Sequence, residues 1–431
     1  MKKLNESANV FCGKGDFQKR NLMFLKLRNV LLVFCLCMFH QSGVAQLTAG
    51  VAKSDITPPL GGLMYGYSAR GTNVSTGVHD PLYARALVLD DGNTKIVIVT
   101  VDIGAIRREN ADNIKRIVRE RTNIENILLV ASHTHSGPAQ CSKDTENKIA
   151  ETIVKANLNL IPARIGKGIG EVHEGHNRRM IHTDGSLEML WGNRNRIPTS
   201  PVDYQLGVIR IEGPGGAIAT LVNFACHPVV AGPENLLISA DYPGSMTRML
   251  EKEIGGQVMY LPGASGDINP FWDKTPPEEG AFEQIEKMGK ALSDEVLRVS
   301  HHIIDFEEIP KISCITETNL LASRNDTTRA ERKIQTEINT LLIGHDLALA
   351  MFPGEFFVEH GLSLKERSPF KFTFFIGYCN DQLAYFPTIK STLNGGYGAA
   401  SATQVEIGAG EFLVNRALIN LLYQGNKIAG R

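Results

Sequence analysis

The sequence predicts an α/β fold in which helices flank a mixed or mostly parallel central sheet. Three observations support this. Short runs of apolar, β-branched residues recur along the chain, as is typical of strands buried on both faces. Charged segments of helical spacing alternate with them, and this order indicates parallel βαβ units. No internal repeat or linker divides residues 46–431. We therefore expect one large domain over that range.

The N-terminal half supplies the clearest strand–helix–strand pattern. The expected elements are a Gly- and Pro-rich loop at 55–71, strands at 84–89, 95–101 and 126–131, and a helix at 110–121. The strands at 95–101 and 126–131 read KIVIVTV and NILLVA, and the helix between them makes a βαβ unit. Tyr65 and Tyr67 make the loop a candidate wall of a cleft.

The C-terminal half continues the alternation. The expected strands are 204–211, 218–224, 257–261, 346–351 and 372–378, and the expected helices are 242–254, 281–299 and 326–338. The helix at 326–338 is charged and is expected to face solvent.

The first 45 residues differ in character from the rest. Positive charge precedes an apolar run at 30–39, and small residues follow at 43–45. This order predicts a secretory signal over residues 1–45, with Met23 as the alternative start. The protein is then exported, either periplasmic or secreted, and a short membrane anchor is the alternative.

Composition excludes several classes of protein. The net charge is -1, which implies no nucleic-acid partner. No apolar run after residue 45 is long enough to span a membrane, so we expect no integral membrane segment after signal cleavage. We expect the partner to be a small-molecule or lipid substrate. The four cysteines beyond the signal show no CxxC spacing, which argues against a cysteine zinc site and leaves their disulfide state open.

A histidine pair directly follows the strand at 126–131. It stands in the string SHTHSGP, as His133 and His135. Ligands of parallel sheets bind at the carboxyl ends of strands, so the pair is well placed for a metal site. In an extended chain the two rings point to opposite sides, so only one is expected to face an ion while the other meets substrate. The alternative is a pair of loop histidines satisfied by backbone hydrogen bonds.

His227 and Glu355 also follow apolar strands. His227 lies in Cys-His-Pro after 218–224, and Glu355 follows a Pro-Gly turn after 346–351. Two histidines and one glutamate form a recurring catalytic zinc set that leaves one position for water. The alternatives are a structural histidine and a surface-turn glutamate.

A Gly-rich loop at 263–270 follows the strand at 257–261. Its small residues let backbone approach a ligand and let N–H groups hold an oxyanion. We expect Gly266, Asp267 and Asn269 to contact substrate, and a plain turn is the alternative. The loop lacks the Gly-x-Ser-x-Gly pattern of serine hydrolases.

Several strings occur in the same order as in the neutral/alkaline ceramidases. They are AGVAKSDITPP at 49–59, SHTHSGP at 132–138, His-Pro at 227–228, Gly-Asp-x-x-Pro at 266–270 and Pro-Gly-Glu-Phe at 353–356. The chain therefore resembles the catalytic domain of that family over nearly its whole length after the signal.

The resemblance implies one zinc ion per chain, bound by four side chains. They are His133, His227, Glu355 and Tyr385, of which the tyrosine is an unusual zinc ligand that can equally be a core residue. It further implies three catalytic residues, His135, Tyr397 and Arg178.

Two departures from the family pattern bear on the substrate. Asn269 stands where the family has a serine implicated in the amidase reaction, so a serine nucleophile is not expected here. The chain also ends soon after the catalytic part, so no C-terminal β-sandwich is expected.

These features favour a zinc-dependent hydrolase of sphingolipid or related lipid metabolism. It would cleave the amide bond of ceramide or another N-acyl lipid with metal-activated water. The alternatives are a zinc esterase or amidase acting on a non-lipid N-acyl substrate, and a non-catalytic ligand-binding homologue.

Overall fold

Long apolar strands form the framework of the protein. The computed structural model describes residues 46–324 and 333–427, which fall in one compact unit, Ala45–Arg431. In chain order, the described strands of five or more residues are β1 (Thr48–Asp55), β2 (Tyr83–Asp90), β3 (Lys95–Val101), β4 (Asn126–Ala131), β5 (Arg164–Glu171), β6 (Gln205–Gly213), β7 (Gly216–Phe224), β8 (Gln257–Pro262), β9 (Ile312–Ala322), β10 (Lys333–Ile343), β11 (Leu347–Met351) and β12 (Phe372–Ile376).

Shorter strands extend or link these. They are Gly77–Val78, Ile161–Pro162, His176–Asn177, Arg179–Ile181, Leu187–Met189, Leu237–Ile238, Ile268–Asn269, Phe306–Glu307, Glu355–Phe356 and Tyr385–Phe386. The described helices are α1 (Arg108–Arg119), α2 (Lys143–Leu158), α3 (Asp241–Ile254), α4 (Ala281–His302), α5 (Val358–Arg367), α6 (Ile389–Asn394) and α7 (Ala409–Gln424), with 3₁₀ turns at Ser68–Arg70 and Pro277–Glu279.

The long strands of the described ranges form three mixed sheets. Their orders are β4-β3-β2-β1 with Ile161–Pro162 at the edge, β8-β7-β6-β5 with Phe306–Glu307 at the edge, and β9-β10-β11-β12. Each sheet holds one parallel pair, β3/β4, β7/β8 or β11/β12, and its other long pairs are antiparallel. The predicted α/β class is confirmed and the sheets are mixed, but the single central sheet that was expected is wrong, because the long strands form three separate sheets.

Each parallel pair is a βαβ unit with one crossover helix. Helix α1 joins β3 to β4, α3 joins β7 to β8, and α5 joins β11 to β12. The βαβ unit predicted at 95–131 is therefore confirmed, and the register runs from Ile96 opposite Asn126 to Val101 opposite Ala131. The strands of these pairs are almost wholly buried, which explains why their sequences are continuous apolar runs.

The three sheets share one apolar core. Leu128 of β4, Leu221 of β7 and Leu349 of β11 belong to the same buried cluster. Asn223 fixes a junction within it, because its side-chain amide donates to the carbonyls of Leu261 and Phe375 at 2.9 Å each. The packing therefore aligns the carboxyl ends of the three units, and the loops that follow them meet.

The prediction of a helix at 326–338 is wrong for residues 333–338, the part of this range that the structure describes. Residues 333–338 belong to strand β10, which pairs with β9 over its full length. Burial alternates there, with Thr336 and Ile338 buried and Lys333 and Gln335 exposed. That is the period of a strand, which the density of charged residues obscured.

The expected export signal lies outside the described residues. Within the described ranges, no helix is both long enough and apolar enough to cross a membrane. The four cysteines of these ranges are free thiols.

Candidate metal centre

His133 and His135 lie in the loop after β4 and turn to the same side. The backbone of His133 is left-handed, with φ 68°. This interrupts the side-to-side alternation of an extended chain. The Nε2 atoms of the two rings are therefore 3.4 Å apart. The expectation that only one of the two rings faces an ion is wrong, because the left-handed backbone of His133 turns both rings to the same side.

His227 and Glu355 reach the same point from the other two sheets. The Nε2 atom of His227 lies 3.1 Å from Oε2 of Glu355, and Nε2 of His133 lies 3.5 Å from that oxygen. Ligand nitrogens of His133, His135 and His227 all lie within 4.8 Å of one another. We call these three histidines and Glu355 the imidazole cluster.

Backbone carbonyls fix two of the rings. The Nδ1 atom of His133 lies 2.6 Å from the Gly104 carbonyl, and Nδ1 of His227 lies 2.6 Å from the Ser265 carbonyl. A carbonyl only accepts, so each Nδ1 carries the proton and donates it. In the neutral rings, both Nε2 lone pairs therefore point into the cluster.

Burial sets the charge of the cluster. It lowers the pKa of His227 to about 4 and that of His135 well below its usual value, so both rings are neutral at pH 7. Burial alone would raise the pKa of Glu355, but His133 and His227 hold it well below its usual range. The cluster thus places the Glu355 carboxylate beside the neutral imidazoles of His135 and His227.

This donor set fits a metal ion. The Nε2 atoms of His133 and His227 lie 3.5 and 3.1 Å from the same Glu355 oxygen, so three side chains present possible ligand atoms to one point, as a divalent cation requires. The Nδ1 atom of His135 is buried and lacks a hydrogen-bond partner among the described residues, so its proton can sit on either nitrogen. The buried group of three histidines can therefore hold a metal ion.

A second layer of contacts supports the carboxylate. Gln382 donates from Nε2 to Oε1 of Glu355 at 2.9 Å, and Tyr65 lies 3.4 Å from the same nitrogen. The ring of Tyr378 stacks on His133 with centroids 4.2 Å apart. Sequence reasoning did not single out Gln382 or Tyr378, although both lie shortly before Tyr385 in the sequence.

The cluster opens into a cavity of about 220 Å³. Six of the ten predicted site residues line it: His135, His227, Arg178, Asn269, Tyr385 and Tyr397. Tyr67 also lines it, as the prediction of a cleft wall at 55–71 requires. Phe271 and Trp272 line a separate cavity of about 270 Å³.

Larger cavities lie elsewhere on the molecule. One of about 550 Å³ is lined by Asp90, Lys95 and Lys311, and one of about 470 Å³ by Lys53 and Glu251. Neither includes a residue of the imidazole cluster. We assign the site to the smaller cavity because residues of the imidazole cluster line it, whereas a large volume alone does not indicate a function.

Four side chains form the polar wall of the site cavity, and we call them the cation wall. Arg178 donates from Nη1 to Oδ1 of Asn269 at 3.2 Å, and Asn269 donates from Nδ2 to Oδ2 of Asp273 at 2.8 Å. Lys274 completes the chain with Nζ 2.6 Å from the same Asp273 oxygen. Asn269 thus bridges Arg178 and Asp273, and no nucleophile stands at this position.

Gly266 and Asp267 lie behind that wall. The Gly266 carbonyl accepts from Nη2 of Arg178 at 2.7 Å. The Asp267 carboxylate accepts from the backbone N–H of Val358 at 2.8 Å and from Asn177 at 2.9 Å. Their contacts position Arg178 and the start of α5. A direct contact of either residue with substrate stays a prediction.

The two predicted tyrosines stand on the aromatic side of the cavity. Tyr385 is buried, and its ring centroid lies 6.5 Å from that of His227. Burial raises the pKa of its phenol well above the usual value, so the phenol is neutral at pH 7. Tyr397 is 40% exposed and contacts both Tyr385 and Trp191 edge to face. Metal binding by Tyr385 stays a prediction.

The fold and the buried histidines define an α/β protein with a candidate metal centre at the carboxyl ends of three βαβ units. The sequence profile of the neutral/alkaline non-lysosomal ceramidase N-terminal region matches residues 47–273. The chain belongs to that family.

Known ceramidases are among its relatives. It is 30% identical over 256 residues to neutral ceramidase B of Dictyostelium discoideum, covering 53% of this chain and 34% of that protein. It is 25% identical over 274 residues to the neutral ceramidase of Pseudomonas aeruginosa, covering 56% of this chain and 40% of that protein. The match thus spans less than half the length of these relatives.

Solved structures share the fold. The crystal structure of the Pseudomonas aeruginosa neutral ceramidase superposes with a TM-score of 0.74 at 18% identity, covering 90% of this chain and 76% of the other. A ceramidase complexed with C2 gives a TM-score of 0.73 at 17% identity, covering 89% and 76%.

Proposed function

We propose that the protein is a zinc-dependent hydrolase that cleaves the amide bond of ceramide or another N-acyl lipid. One observation carries this proposal: neutral imidazoles and a carboxylate from three different sheets converge on one buried point that opens into a cavity. Membership of the ceramidase family supports the choice of an amide.

His133, His227 and Glu355 would hold one zinc ion, with Tyr385 as a fourth candidate ligand. Zn²⁺ held there would supply Lewis acidity, which polarises an amide carbonyl and makes water a nucleophile at neutral pH. His135 stands beside the first two ligands, where it either completes the ligand set or accepts a proton from water.

Arg178 and Tyr397 would orient the substrate. The Arg178 guanidinium is held by the Gly266 carbonyl and Asn269, so its remaining N–H groups are fixed toward the cavity that they line. The Tyr397 hydroxyl would donate to the leaving nitrogen or to the developing oxyanion. Because Asn269 replaces a serine, the nucleophile is water and not a side chain.

Metal analysis of the purified protein tests the cofactor. We expect about one zinc per chain after dialysis, and chelation should abolish hydrolysis that added zinc restores. Well under one zinc per chain, with metal-free and zinc-loaded protein equally inactive, would refute the proposal.

Substrate assays test the reaction. We expect a fluorogenic N-acylsphingosine to release fatty acid, and a matched ester of the same acyl chain to distinguish amidase from esterase. Turnover of only a non-lipid amide would move the protein to the alternative substrate class. Ligand binding without any turnover would make it a non-catalytic homologue.

Export belongs to the same proposal, because a periplasmic or secreted enzyme meets lipids outside the cytoplasm. Sequencing the N-terminus of the protein recovered from periplasm and medium should show cleavage near residue 45. An intact N-terminus in the cytoplasmic fraction would contradict it.

A further inference from the structure

The cation wall buries a guanidinium that lacks an ionic partner. Arg178 is 3% exposed, and its hydrogen bonds go to a carbonyl and an amide oxygen. Among the described residues, no carboxylate forms an ion pair with it, and its Nε–H has no acceptor. Burial lowers the pKa of Arg178, but Tyr385, Glu355 and Asp267 raise it more, so the guanidinium keeps its charge where it lines the cavity and can attract an anionic ligand.

Lys274 adds a second cation to the same cavity. Its amino group lies 2.6 Å from Asp273 and 4.3 Å from the centre of the Trp191 ring. The side chain is 33% exposed, whereas that of Asp273 is 0% exposed. The ammonium therefore faces the cavity while its carboxylate partner is hidden behind it.

The charges of the wall do not cancel. Arg178 and Lys274 contribute two positive charges. Asp273 contributes one negative charge, and its carboxylate also accepts a hydrogen bond from Asn269. The aromatic face of Trp191 lies under both cations, with the Arg178 guanidinium carbon 5.1 Å from its centre.

We propose that the cation wall is a subsite for an anionic group, and that among N-acyl amides the protein prefers one that bears a carboxylate near the scissile bond. This inference rests on the proposed function and narrows its substrate class. The enclosed volume of about 220 Å³ suits a small acidic headgroup, with the acyl chain leaving past Tyr67 and Tyr397. Hydrolysis breaks the C–N bond: water oxygen joins the acyl carbon, and the nitrogen takes a water proton.

A matched pair of amides tests the preference. N-lauroylglycine and N-lauroylethanolamine share an acyl chain and differ in carboxylate against hydroxymethyl. We expect kcat/KM to be roughly tenfold or more in favour of the glycine amide, as a charge-assisted contact allows. Equal rates for the two amides would overturn the inference.

Binding supplies a readout that does not depend on turnover. The corresponding dodecylsulfonyl derivatives of glycine and ethanolamine are not hydrolysed. Trp191 reports their binding by fluorescence once Trp272, the other tryptophan of the chain, is changed to Phe. We expect the glycine derivative to bind roughly tenfold more tightly at low salt. Equal binding of the two, or binding of neither, would overturn the inference.

Charge variants identify the side chain responsible. Lys274→Gln should remove most of the preference, Lys274→Arg should keep it, and Asp273→Asn should increase it severalfold. Lys290→Gln is the matched control, since this exposed lysine pairs with Asp294 on α4. Equal effects of Lys274→Gln and Lys290→Gln would overturn the assignment, and thermal unfolding checks that each variant is folded.

The two proposals fail in different ways. Selective binding of the acidic derivative without cleavage of either amide would retain the anionic subsite and refute the hydrolase. Cleavage of both amides without selectivity would retain the hydrolase and refute the subsite.

Discussion

The imidazole cluster and the cation wall face one cavity but are built differently. In the cluster, backbone carbonyls of Gly104 and Ser265 orient the rings of His133 and His227. In the wall, charged side chains hold one another through Asn269. Main-chain anchors fix geometry whatever the neighbouring side chains are. A wall of side chains can change its charge by single substitutions.

The difference separates chemistry from specificity. The proposed ligands His133, His227 and Glu355 lie in the cluster, whereas Asn269, where the resemblance implies a serine, lies in the wall. The proposed reaction can therefore be combined with a different headgroup preference. Substitutions in the two regions should accordingly differ in what they alter.

Removing a cluster side chain should have the largest effect. His227→Ala deletes a donor that faces Glu355 at 3.1 Å. Since loss of an outer-shell partner alone costs 10–100-fold in metal affinity, we expect a loss of at least about 100-fold, measured by competition with a zinc indicator. His345→Ala, at an exposed histidine, should leave affinity unchanged. Unchanged zinc affinity in His227→Ala would show that the cluster is not the metal centre.

Crowding the cluster should have the next largest effect. Gly66 has φ 96°, and a Cβ there would lie 2.2 Å from Nδ1 of His135. Gly61 has φ 86° with nothing within 4 Å, so Gly61→Ala carries the same backbone strain without the clash. We expect Gly66→Ala to lose about 1–3 kcal/mol more than Gly61→Ala in urea unfolding. Equal losses would mean that His135 moves freely.

Restoring a serine to the wall should weaken it. Asn269→Ser shortens the side chain, which cannot then reach both Arg178 and Asp273. We expect a loss of about 1–3 kcal/mol in the free energy of unfolding, because buried polar groups lose partners. Asn123→Ser, at an exposed position, is the control. An increase in stability would show that the bridge is not favourable.

The smallest effect should come from the network behind β4. Glu337 accepts from Lys115 at 2.6 Å and from Asn380 at 2.8 Å, and Asn380 accepts from the Leu129 N–H. Burial raises the pKa of Glu337, but Lys115 and Asn380 lower it more, so the net pKa is depressed.

A depressed carboxyl pKa stabilises the fold above its unfolded value, about 4.3, and that stability is lost as the pH falls through the folded value. Lys115→Met should therefore cost about 1 kcal/mol at pH 7, and the difference from the wild type should shrink below about pH 4. Chemical unfolding at several pH values measures it. A difference independent of pH would rule out the ionic contribution.

Sequence patterns predicted the strands and the donors because both depend on local signals. Buried parallel strands are continuous apolar runs, and His133, His227 and Glu355 directly follow such runs. The left-handed backbone of His133 carries no such signal, so the common direction of His133 and His135 was missed.

The cation wall was missed for a different reason. Lys274 and Asp273 look like ordinary charged residues of a turn, and only the packing of Trp191 over them makes a cavity wall. Strand β10 was mistaken for a helix because its charges masked the alternation that pairing with β9 imposes.

The donors of the imidazole cluster come from three sheets, His133 after β4, His227 after β7 and Glu355 after β11. No fragment containing fewer than all three units can assemble them. Retention of a bound ion would therefore report that all three βαβ units are folded and packed together. On heating, the ion should be released at the temperature at which these units separate.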